Sequence, residues 1–248
     1  MPEVVSLLRF KVVLMSNETW RSPDEIQAIF NNLAPVYDEL NQSLSLGQHH
    51  IWKLMTVQWC EPKKGDIALD ICCGSGDITQ LLGKKVGKTG KTFGLDFSAD
   101  LLAIARQRNQ TPYPIEWIEA DALNLPFGDN NFDCATMGYG LRNVVDIPLC
   151  LRELHRVLRP GAKAAILDFH RPSIGWMQAF QQWYLDTVVV PQAQKLGMTD
   201  EYAYISPSLA RFPTGPEQVK LANLAGFTEA IHYPIAGGLM GVLVLTKN

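Results

Sequence analysis

The sequence contains no apolar run of about 18 residues, the length that a membrane-spanning helix requires. Its first fifteen residues are apolar but interrupted by Glu3, Arg9 and Lys11, which is atypical of a signal peptide. The net charge is −3 and no block of basic residues occurs, which argues against nucleic acid as a partner. We therefore expect a cytoplasmic protein in which residues 1–21 form a flexible tail, with residues 1–14 either native or an over-extended start.

Cysteine is scarce, and its pattern excludes two common roles. The five cysteines are odd in number and none is spaced as C-x-x-C: Cys60, Cys72, Cys73, Cys134 and Cys150. This pattern argues against both a disulfide framework and a zinc site. It predicts a reducing compartment and no metal cofactor.

The most informative stretch is a short buried strand followed by a glycine turn and a helix. Ile67, Ala68 and Leu69 form the apolar run, and Gly74 and Gly76 lie in the turn. Apolar residues at helical spacing follow the turn: Ile78, Leu81, Leu82 and Val86. A strand, glycine turn and helix in this order are typical of a doubly wound α/β domain, which binds ligands beyond the carboxyl ends of its strands.

Two nucleotide-type ligands compete for this turn. A dinucleotide fingerprint requires a third glycine, but Thr79 occupies that position. Asp70, predicted at the mouth of the turn, would repel a pyrophosphate and attract the ammonium and sulfonium charges of S-adenosylmethionine (SAM). Asp96, 20 residues past Gly76, suits the ribose hydroxyls of either ligand. Thr79 and Asp70 together favour SAM over a nicotinamide cofactor, so an oxidoreductase is the less favoured alternative.

The remaining pattern predicts a single α/β domain with a helical cap. We predict a doubly wound, mostly parallel sheet of seven strands, whose last two strands form a hairpin at the sheet edge. A capping box at Ser22 opens the cap, residues 22–62, and the core spans residues 63–248. A helix is predicted from Ile147 to Leu158, stopped by Pro160-Gly161, and the next strand is predicted from Lys163 to Phe169.

A helical insertion of about residues 173–212 is predicted to cover the substrate. Its segment from Ile174 to Val190 is apolar and aromatic on most sides, as a core helix is. An apolar substrate pocket or a face resting on a membrane is the alternative.

Two spaced motifs carry a resemblance to a known family from about Asp24 onward. The first comprises Tyr37, Asp38, Asn41, Leu44, Ser45, His49 and Trp52, and the second runs from Arg156 to Gly161 and on to Leu167-Asp168-Phe169. With Gly140-Leu141-Arg142-Asn143, they resemble the ubiquinone/menaquinone C-methyltransferase family. Leu40, Ala162, Asp168 and His170 depart from the family pattern, which has Met, Gly, Glu and a small polar residue there.

The stretch from Asp168 to Pro172 and the ending from Ala236 to Gly241 are similar to the branch of oxygenic phototrophs. That branch methylates 2-phytyl-1,4-naphthoquinone in the last chemical step to phylloquinone. The resemblance implies the class I SAM-dependent methyltransferase fold, a lipophilic prenylated quinol as substrate, and methyl transfer from SAM to a ring carbon. Alternatives are a menaquinone- or ubiquinone-directed enzyme, and a SAM-binding module without activity. A homodimer and a peripheral contact with a photosynthetic membrane also stay open.

The fold and the resemblance together imply a set of cofactor residues. Asp70, Cys72 and Gly74-Ser75-Gly76 are predicted to hold the methionine end, and Asp96 the ribose. Phe97 and Ala122 would flank the adenine, whose amino group would bond Asp121. Gly138 and Tyr139 are expected near the sulfonium.

The resemblance also implies a catalytic set. Arg142 is predicted to stabilise the anion of the quinol, because a guanidinium holds an oxyanion well. Its alternative role is a structural ion pair with Asp146 or a neighbouring carboxylate. Asn143, Tyr37 and His49 are predicted to position a water or the quinol oxygens, and for His49 a packing role is the stronger alternative.

Overall fold

The computed structural model of the protein describes residues 25–28, 31, 47–172, 175–184, 187, 191 and 205–248. Residues 25–28 are helical, in agreement with the helix predicted from Ser22. Tyr37 lies outside the described residues, as do the predicted tail, most of the first motif, and much of the predicted insertion.

Seven strands in the described residues form one sheet, as predicted. They are β1 (Ile67–Ile71), β2 (Lys91–Asp96), β3 (Ile115–Glu119), β4 (Phe132–Gly138), β5 (Leu158–Phe169), β6 (Glu229–Ile235) and β7 (Met240–Thr246). Their order is β3-β2-β1-β4-β5-β7-β6, in which β7 is antiparallel to both of its neighbours and the other pairings are parallel. The chain order therefore reverses between β1 and β4, and the carboxyl ends of these two strands meet at the switch point where such sheets bind ligands.

Helices cover the sheet and connect its strands. They are α1 (His49–Trp59), α2 (Asp77–Val86), α3 (Ala99–Arg108), α4 (Ile147–Val157), α5 (Gly175–Tyr184), α6 (Ile205–Arg211) and α7 (Gly215–Leu224). Leu69 and Ile71 of β1 pack into one core with Leu151 of α4, whereas Ala68 packs into a second core with Leu82 of α2. Successive side chains of β1 thus point to opposite faces, and burial on both faces explains why the strand is apolar.

The predicted end of α4 is correct to within one residue, but the predicted start of β5 is wrong by five residues. The helix ends at Val157 and the strand begins at Leu158, so Pro160 and Gly161 lie within an extended segment. The backbone N–H of Gly161 donates to the carbonyl of Lys247 (2.6 Å), which shows that pairing with the chain after β7 extends the strand. A capping box opens α7, since the N–H of Thr214 donates to the carboxylate of Glu217 across 2.8 Å.

Helix α5 is only partly a core helix. The side chains of Trp176 and Trp183 are 71% and 54% exposed. They are seven residues apart, which places them on the same side of the helix. Met177 packs against Gly238 in the turn between β6 and β7. No helix in the part of the chain that the structure describes is long and apolar enough to span a membrane.

Candidate cofactor and substrate site

A cavity of about 230 Å³ opens at the carboxyl ends of β1, β2 and β4. The residues predicted for the cofactor that line it are Cys72, Gly74, Asp96, Phe97, Asp121, Ala122, Gly138 and Tyr139, and Asn143 of the predicted catalytic set joins them. The side chains of Asp70, Ser75, His49 and Arg142 and the backbone of Gly76 do not belong to the lining. The remaining lining residues are mostly apolar: Ile26, Gln27, Leu95, Leu101, Ala120, Leu123, Gly140, Val144 and Val145.

Backbone conformation and packing against neighbouring elements both require glycine in the turn after β1. Gly74 and Gly76 have left-handed φ values of 54° and 88°, which glycine adopts at little cost. A Cβ on Gly76 would collide with the indole of Trp117. Gly76 thus serves the packing of the turn against β3, whereas Gly74 contacts the cavity.

Asp96 is held rigidly at the cavity wall. One carboxylate oxygen accepts the N–H of Gly74 (2.8 Å) and the other accepts the N–H of Ser98 (3.0 Å). Burial raises the pKa of Asp96 to about 6, although these backbone donors oppose the increase. The backbone N–H of Phe97 is a third donor to this carboxylate, which has about four acceptor positions. The carboxylate therefore retains capacity for a ribose hydroxyl.

The residues predicted around the adenine also meet at the cavity. Asp121 is exposed, and one of its carboxylate oxygens accepts the N–H of Leu123 (2.9 Å), which fixes the turn that carries Ala122. Phe97 follows Asp96 directly and is half-buried. These residues form the end of the cavity opposite to Tyr139 and Asn143.

The helical segment at residues 25–28 covers this end of the cavity. Ile26 is buried, and the side-chain amide of Gln27 donates to the carbonyl of Phe97. The hydroxyl of Ser98 donates to Asn31 as well. Ile26 and Gln27 are lining residues that the sequence analysis missed. The helix predicted from Ser22 includes both residues, but no local pattern shows which face of this helix meets the cavity.

Asp70 is buried beneath the turn, and its predicted place at the mouth of the turn is wrong. Its two carboxylate oxygens accept the hydroxyls of Thr79 (2.7 Å) and Thr136 (2.8 Å). Burial raises the pKa of Asp70 to about 7. Asp70 faces the core because it has the same parity on β1 as Ala68. Thr79, which stands where a dinucleotide turn has glycine, is part of this buried network.

The loop after β4 brings a backbone carbonyl and an amide to the cavity. Tyr139 has a left-handed φ of 59°, and its N–H donates to the carbonyl of Leu167 on β5 (2.7 Å). The side-chain amide of Asn143 donates to the carbonyl of Tyr139 (2.9 Å), which fixes the orientation of the amide group. The oxygen Oδ1 of Asn143 is buried and has no hydrogen-bond partner among the described residues. A buried acceptor left in this state favours a ligand or water that donates to it.

Arg142 forms a buried ion pair, and the carboxylate is Asp168 at the end of β5. Its Nη1 lies 2.7 Å from Oδ1 of Asp168 and also donates to the carbonyl of Tyr139 (3.1 Å). The guanidinium lies over the ring of Phe169, 4.9 Å from its centroid. Asp146 is not the partner, because its carboxylate caps α4 through the N–H of Leu149 (2.8 Å).

His49 begins α1 and is buried, with only 3% of its surface exposed. Burial, with nearby Lys53 and His50, lowers the pKa of His49 to about 4. The imidazole is therefore neutral at physiological pH. Lys53, one turn along, forms a salt bridge of 2.7 Å with Asp77. His49 thus lies in a packed polar cluster at the start of α2, away from the lining of the cavity.

The described residues contain no group of three or more His, Cys, Asp or Glu that could hold a metal ion. Burial raises the pKa of the Cys72 and Cys73 thiols well above the ordinary value. These thiols are therefore protonated, and Cys72 contributes shape to the cavity wall. A Cβ on Gly140 would approach Cys72 Cβ at 2.6 Å, which shows how closely the turn after β1 packs against the loop after β4.

Comparisons with known proteins agree with this geometry. A model of the ubiE/COQ5 methyltransferase family matches residues 16–247. A 2-phytyl-1,4-naphtoquinone methyltransferase of Nostoc punctiforme is 63% identical over 90% of this chain and 99% of the relative. The protein of the same name in Synechocystis is 56% identical over 94% of this chain and 100% of the relative. A chloroplastic 2-phytyl-1,4-beta-naphthoquinone methyltransferase of Arabidopsis thaliana is 51% identical over 90% and 88%.

Solved structures show the same fold at low sequence identity. A SAM-dependent methyltransferase of Aquifex aeolicus has a TM-score of 0.58 at 18% identity and covers 78% of this chain and 88% of its own. A SAM-dependent methyltransferase of Thermotoga maritima has a TM-score of 0.61 at 20% identity and covers 90% and 100%. The predicted class I methyltransferase fold is confirmed.

Proposed function

Because the chain belongs to the ubiE/COQ5 methyltransferase family and is a SAM-dependent methyltransferase, we propose that its acceptor is reduced 2-phytyl-1,4-naphthoquinone. The observation that carries the proposal is the 63% identity over 99% of a relative that bears that activity in its name. The same name recurs among relatives from cyanobacteria and a plant. We propose methylation of the ring carbon beside the phytyl chain, which would yield the reduced, quinol form of phylloquinone.

The residues that line the cavity support the proposal that it binds SAM. Asp96 would accept the ribose hydroxyls, and Phe97 and Ala122 would contact the adenine, beside Asp121. The turn at Cys72 and Gly74 would hold the methionine end, with Ser75 and Gly76 shaping it from behind. Bound SAM supplies an electrophilic methyl group, which would lie near Gly138 and Tyr139. The unpartnered Oδ1 of Asn143 supports a ligand with a donor at this end of the cavity.

Asp70 would act on the cofactor through its charge, without contact. Asp70 is fully buried and does not belong to the cavity lining, so it offers no direct hydrogen bond to a ligand in the cavity. A charge in a buried, weakly screened place acts over several ångströms. We propose that ionised Asp70 favours the cationic cofactor over its neutral demethylated product.

The chemistry requires a quinol that has lost a proton. A quinone ring carbon is electron-poor, whereas the quinol anion is an enolate whose ring carbon would attack the methyl group. The carbon–sulfur bond would break to release S-adenosylhomocysteine, and the methylated carbon would then lose its proton to water, which restores the aromatic quinol. Arg142 would stabilise the oxygen anion, and its pKa above about 12 excludes it as the free base. The proton would pass to a water that Asn143 and Tyr37 position. His49, neutral and buried behind the cavity, would support α1 and take no direct part.

We further propose that the protein contacts a photosynthetic membrane, because a substrate with such a lipophilic chain would reside in one. The exposed Trp176 and Trp183 of α5 would enter the interface, where tryptophan is favoured. Helix α5 contains no charged residue and begins six residues after the end of β5. Co-sedimentation with vesicles should fall in a Trp176→Ala, Trp183→Ala double variant. Equal sedimentation would contradict the membrane contact.

We also propose that the chain is divided into a tail, a helical cap and a core. Residues 22–62 would cap the cofactor, as the contact of Gln27 with Phe97 suggests. The segment of about residues 173–212 would cover the substrate.

The decisive experiment is a methylation assay with labelled SAM. It offers 2-phytyl-1,4-naphthoquinone or a demethylmenaquinone, each with and without a chemical reductant. Label on the phytyl substrate only after reduction would support both the substrate and the quinol mechanism. Label on both substrates would support the quinol mechanism and show that the enzyme accepts more than one prenyl side chain. No label on either, with SAM still bound, would refute the proposed activity.

A further inference from the structure

Asp168 joins the ends of two adjacent strands at the site. One oxygen accepts the backbone N–H of Arg142 (3.1 Å), and the other accepts both Nη1 of Arg142 (2.7 Å) and the N–H of Phe169 (2.8 Å). The carboxylate is 3% exposed. Three donors, two from the loop after β4 and one from the end of β5, therefore converge on a single buried side chain.

This contact holds the loop that forms one end of the cavity. Tyr139 and Asn143, three residues before Arg142 and one after it, both line the cavity. The carbonyl of Tyr139 accepts Nη1 of Arg142 and the amide of Asn143 at once. The orientation of Arg142 is thereby linked to the position of two lining residues.

The ion pair is poorly explained by stability alone. A buried ion pair costs desolvation that its attraction repays only in part, so apolar residues of similar size stabilise a core about as well. What the pair does provide is fixed geometry, since two oxygens of one carboxylate hold both the backbone and the side chain of Arg142. A side chain fixed at both of these points has little freedom to leave its rotamer.

We infer that Asp168 is a positioning residue, which orients the Arg142 guanidinium and the Tyr139 carbonyl for methyl transfer. The inference rests on the role proposed above for Arg142. Asp168 itself touches neither the cofactor cavity nor the reacting atoms. It acts through Arg142, so its effect should disappear when the guanidinium is replaced.

The test is a double-mutant cycle between positions 168 and 142. Asp168→Asn keeps the size of the side chain and removes its charge, and should lower kcat about 10²-fold, as small misplacements at a reaction centre do. Asp168→Glu keeps the charge and should recover at least about tenfold of that loss. Kd for SAM should stay within about threefold in both variants. Asp129→Asn is the matched control, because Asp129 pairs with Arg156 at an exposed place and neither residue lines the cavity.

The coupling is measured against Arg142→Lys, below the melting temperature of every variant. In that background Asp168→Asn should change kcat by less than about threefold, since a lysine lacks the planar guanidinium whose orientation Asp168 is inferred to fix. Multiplicative effects of the two substitutions, or a large loss of SAM affinity, would overturn the inference. An inactive wild type would refute the proposed function and this inference together. An active wild type with an unaffected Asp168→Asn variant overturns the inference alone.

Discussion

The hydroxyl of Thr79 donates to the carboxylate of Asp70 across 2.7 Å, with both side chains fully buried beneath the cofactor turn. A threonine at the third position of the glycine turn is therefore more than a departure from a dinucleotide motif. It satisfies one oxygen of a carboxylate whose pKa burial raises to about 7, while Thr136 satisfies the other. Several consequences of the site can be measured.

Replacing Asp70 by Asn should change how stability depends on pH. The folded pKa of about 7 lies above the ordinary value of 3.8, so the native state binds an extra proton in this range. The contribution of Asp70 to stability is thus complete below about pH 4 and is lost as the pH rises toward 8. Asp70→Asn cannot ionise, so its melting temperature relative to wild type should rise by several degrees from pH 5 to pH 8. Asp129→Asn, at an exposed ion pair, should show a flat difference, and a flat difference for Asp70→Asn would contradict the shifted pKa.

The same substitution should alter the ratio of the binding affinities for SAM and for its demethylated product. If ionised Asp70 favours the sulfonium, Asp70→Asn should weaken SAM binding a few-fold and leave S-adenosylhomocysteine, which lacks that charge, unchanged. Calorimetric titration at pH 8, where Asp70 of the wild type is ionised, measures both affinities. Parallel losses for the two ligands would show that Asp70 shapes the turn without acting through its charge.

Asp96→Asn should weaken SAM binding about 10- to 100-fold, because hydrogen bonds to a charged acceptor contribute about 1.5–3 kcal/mol each. The pKa of about 6 adds a pH dependence, since the carboxylate is ionised above that value and protonated below it. SAM affinity of the wild type should therefore fall from pH 7 to pH 5, and this fall should be smaller in the variant. Unchanged affinity in Asp96→Asn would exclude the ribose role.

Arg142→Ala should abolish methylation while SAM still binds. Loss of a positioned donor to a developing anion costs about 10²- to 10³-fold in kcat. The substitution also leaves the buried Asp168 without its cation, so a lower melting temperature is expected and must be measured. Arg159→Ala is a suitable control, because Arg159 pairs with Asp133 at a partly exposed place outside the cavity. Normal turnover in Arg142→Ala would exclude a catalytic role for Arg142.

Gln27→Ala should weaken SAM binding about 2- to 10-fold, as the loss of one hydrogen bond to a backbone carbonyl does. Its main effect is expected on the dissociation rate, because the amide joins the N-terminal helical segment to the loop after β2. Stopped-flow displacement measures this rate. Gln58→Ala, on the exposed side of α1, should leave it unchanged. If the two variants behave alike, the helical segment does not retain the cofactor.

The strands, the glycine turn and Asp96 could be predicted because each follows from a pattern within a few residues. Strands buried on both faces are apolar, and tight turns require glycine. The place of Asp96 at the site could be predicted because it ends β2, whereas the glycine turn follows β1. These two strands are adjacent, and their carboxyl ends share one edge of the sheet.

The burial of Asp70 and the partner of Arg142 could not be predicted in the same way. The position of Asp70 depends on the register of β1 with β4, which pairs Asp70 with Thr136, 66 residues along the chain. Asp168 is 26 residues from Arg142, and the two meet because Gly138 of β4 pairs with Leu167 of β5. Local sequence does not fix register between strands, so Asp146, nearer in sequence, was an equally reasonable partner for Arg142.

The indole of Trp117 lies against two backbone positions of other elements, Gly76 in the cofactor turn and Gly94 on β2. A Cβ at position 94 would stand 2.7 Å from this ring, closer than packed atoms allow. Positions 76, 94 and 117 are therefore sterically coupled. A side chain at position 94 fits only where residue 117 is smaller than tryptophan, so the two positions should tolerate substitution together and not singly.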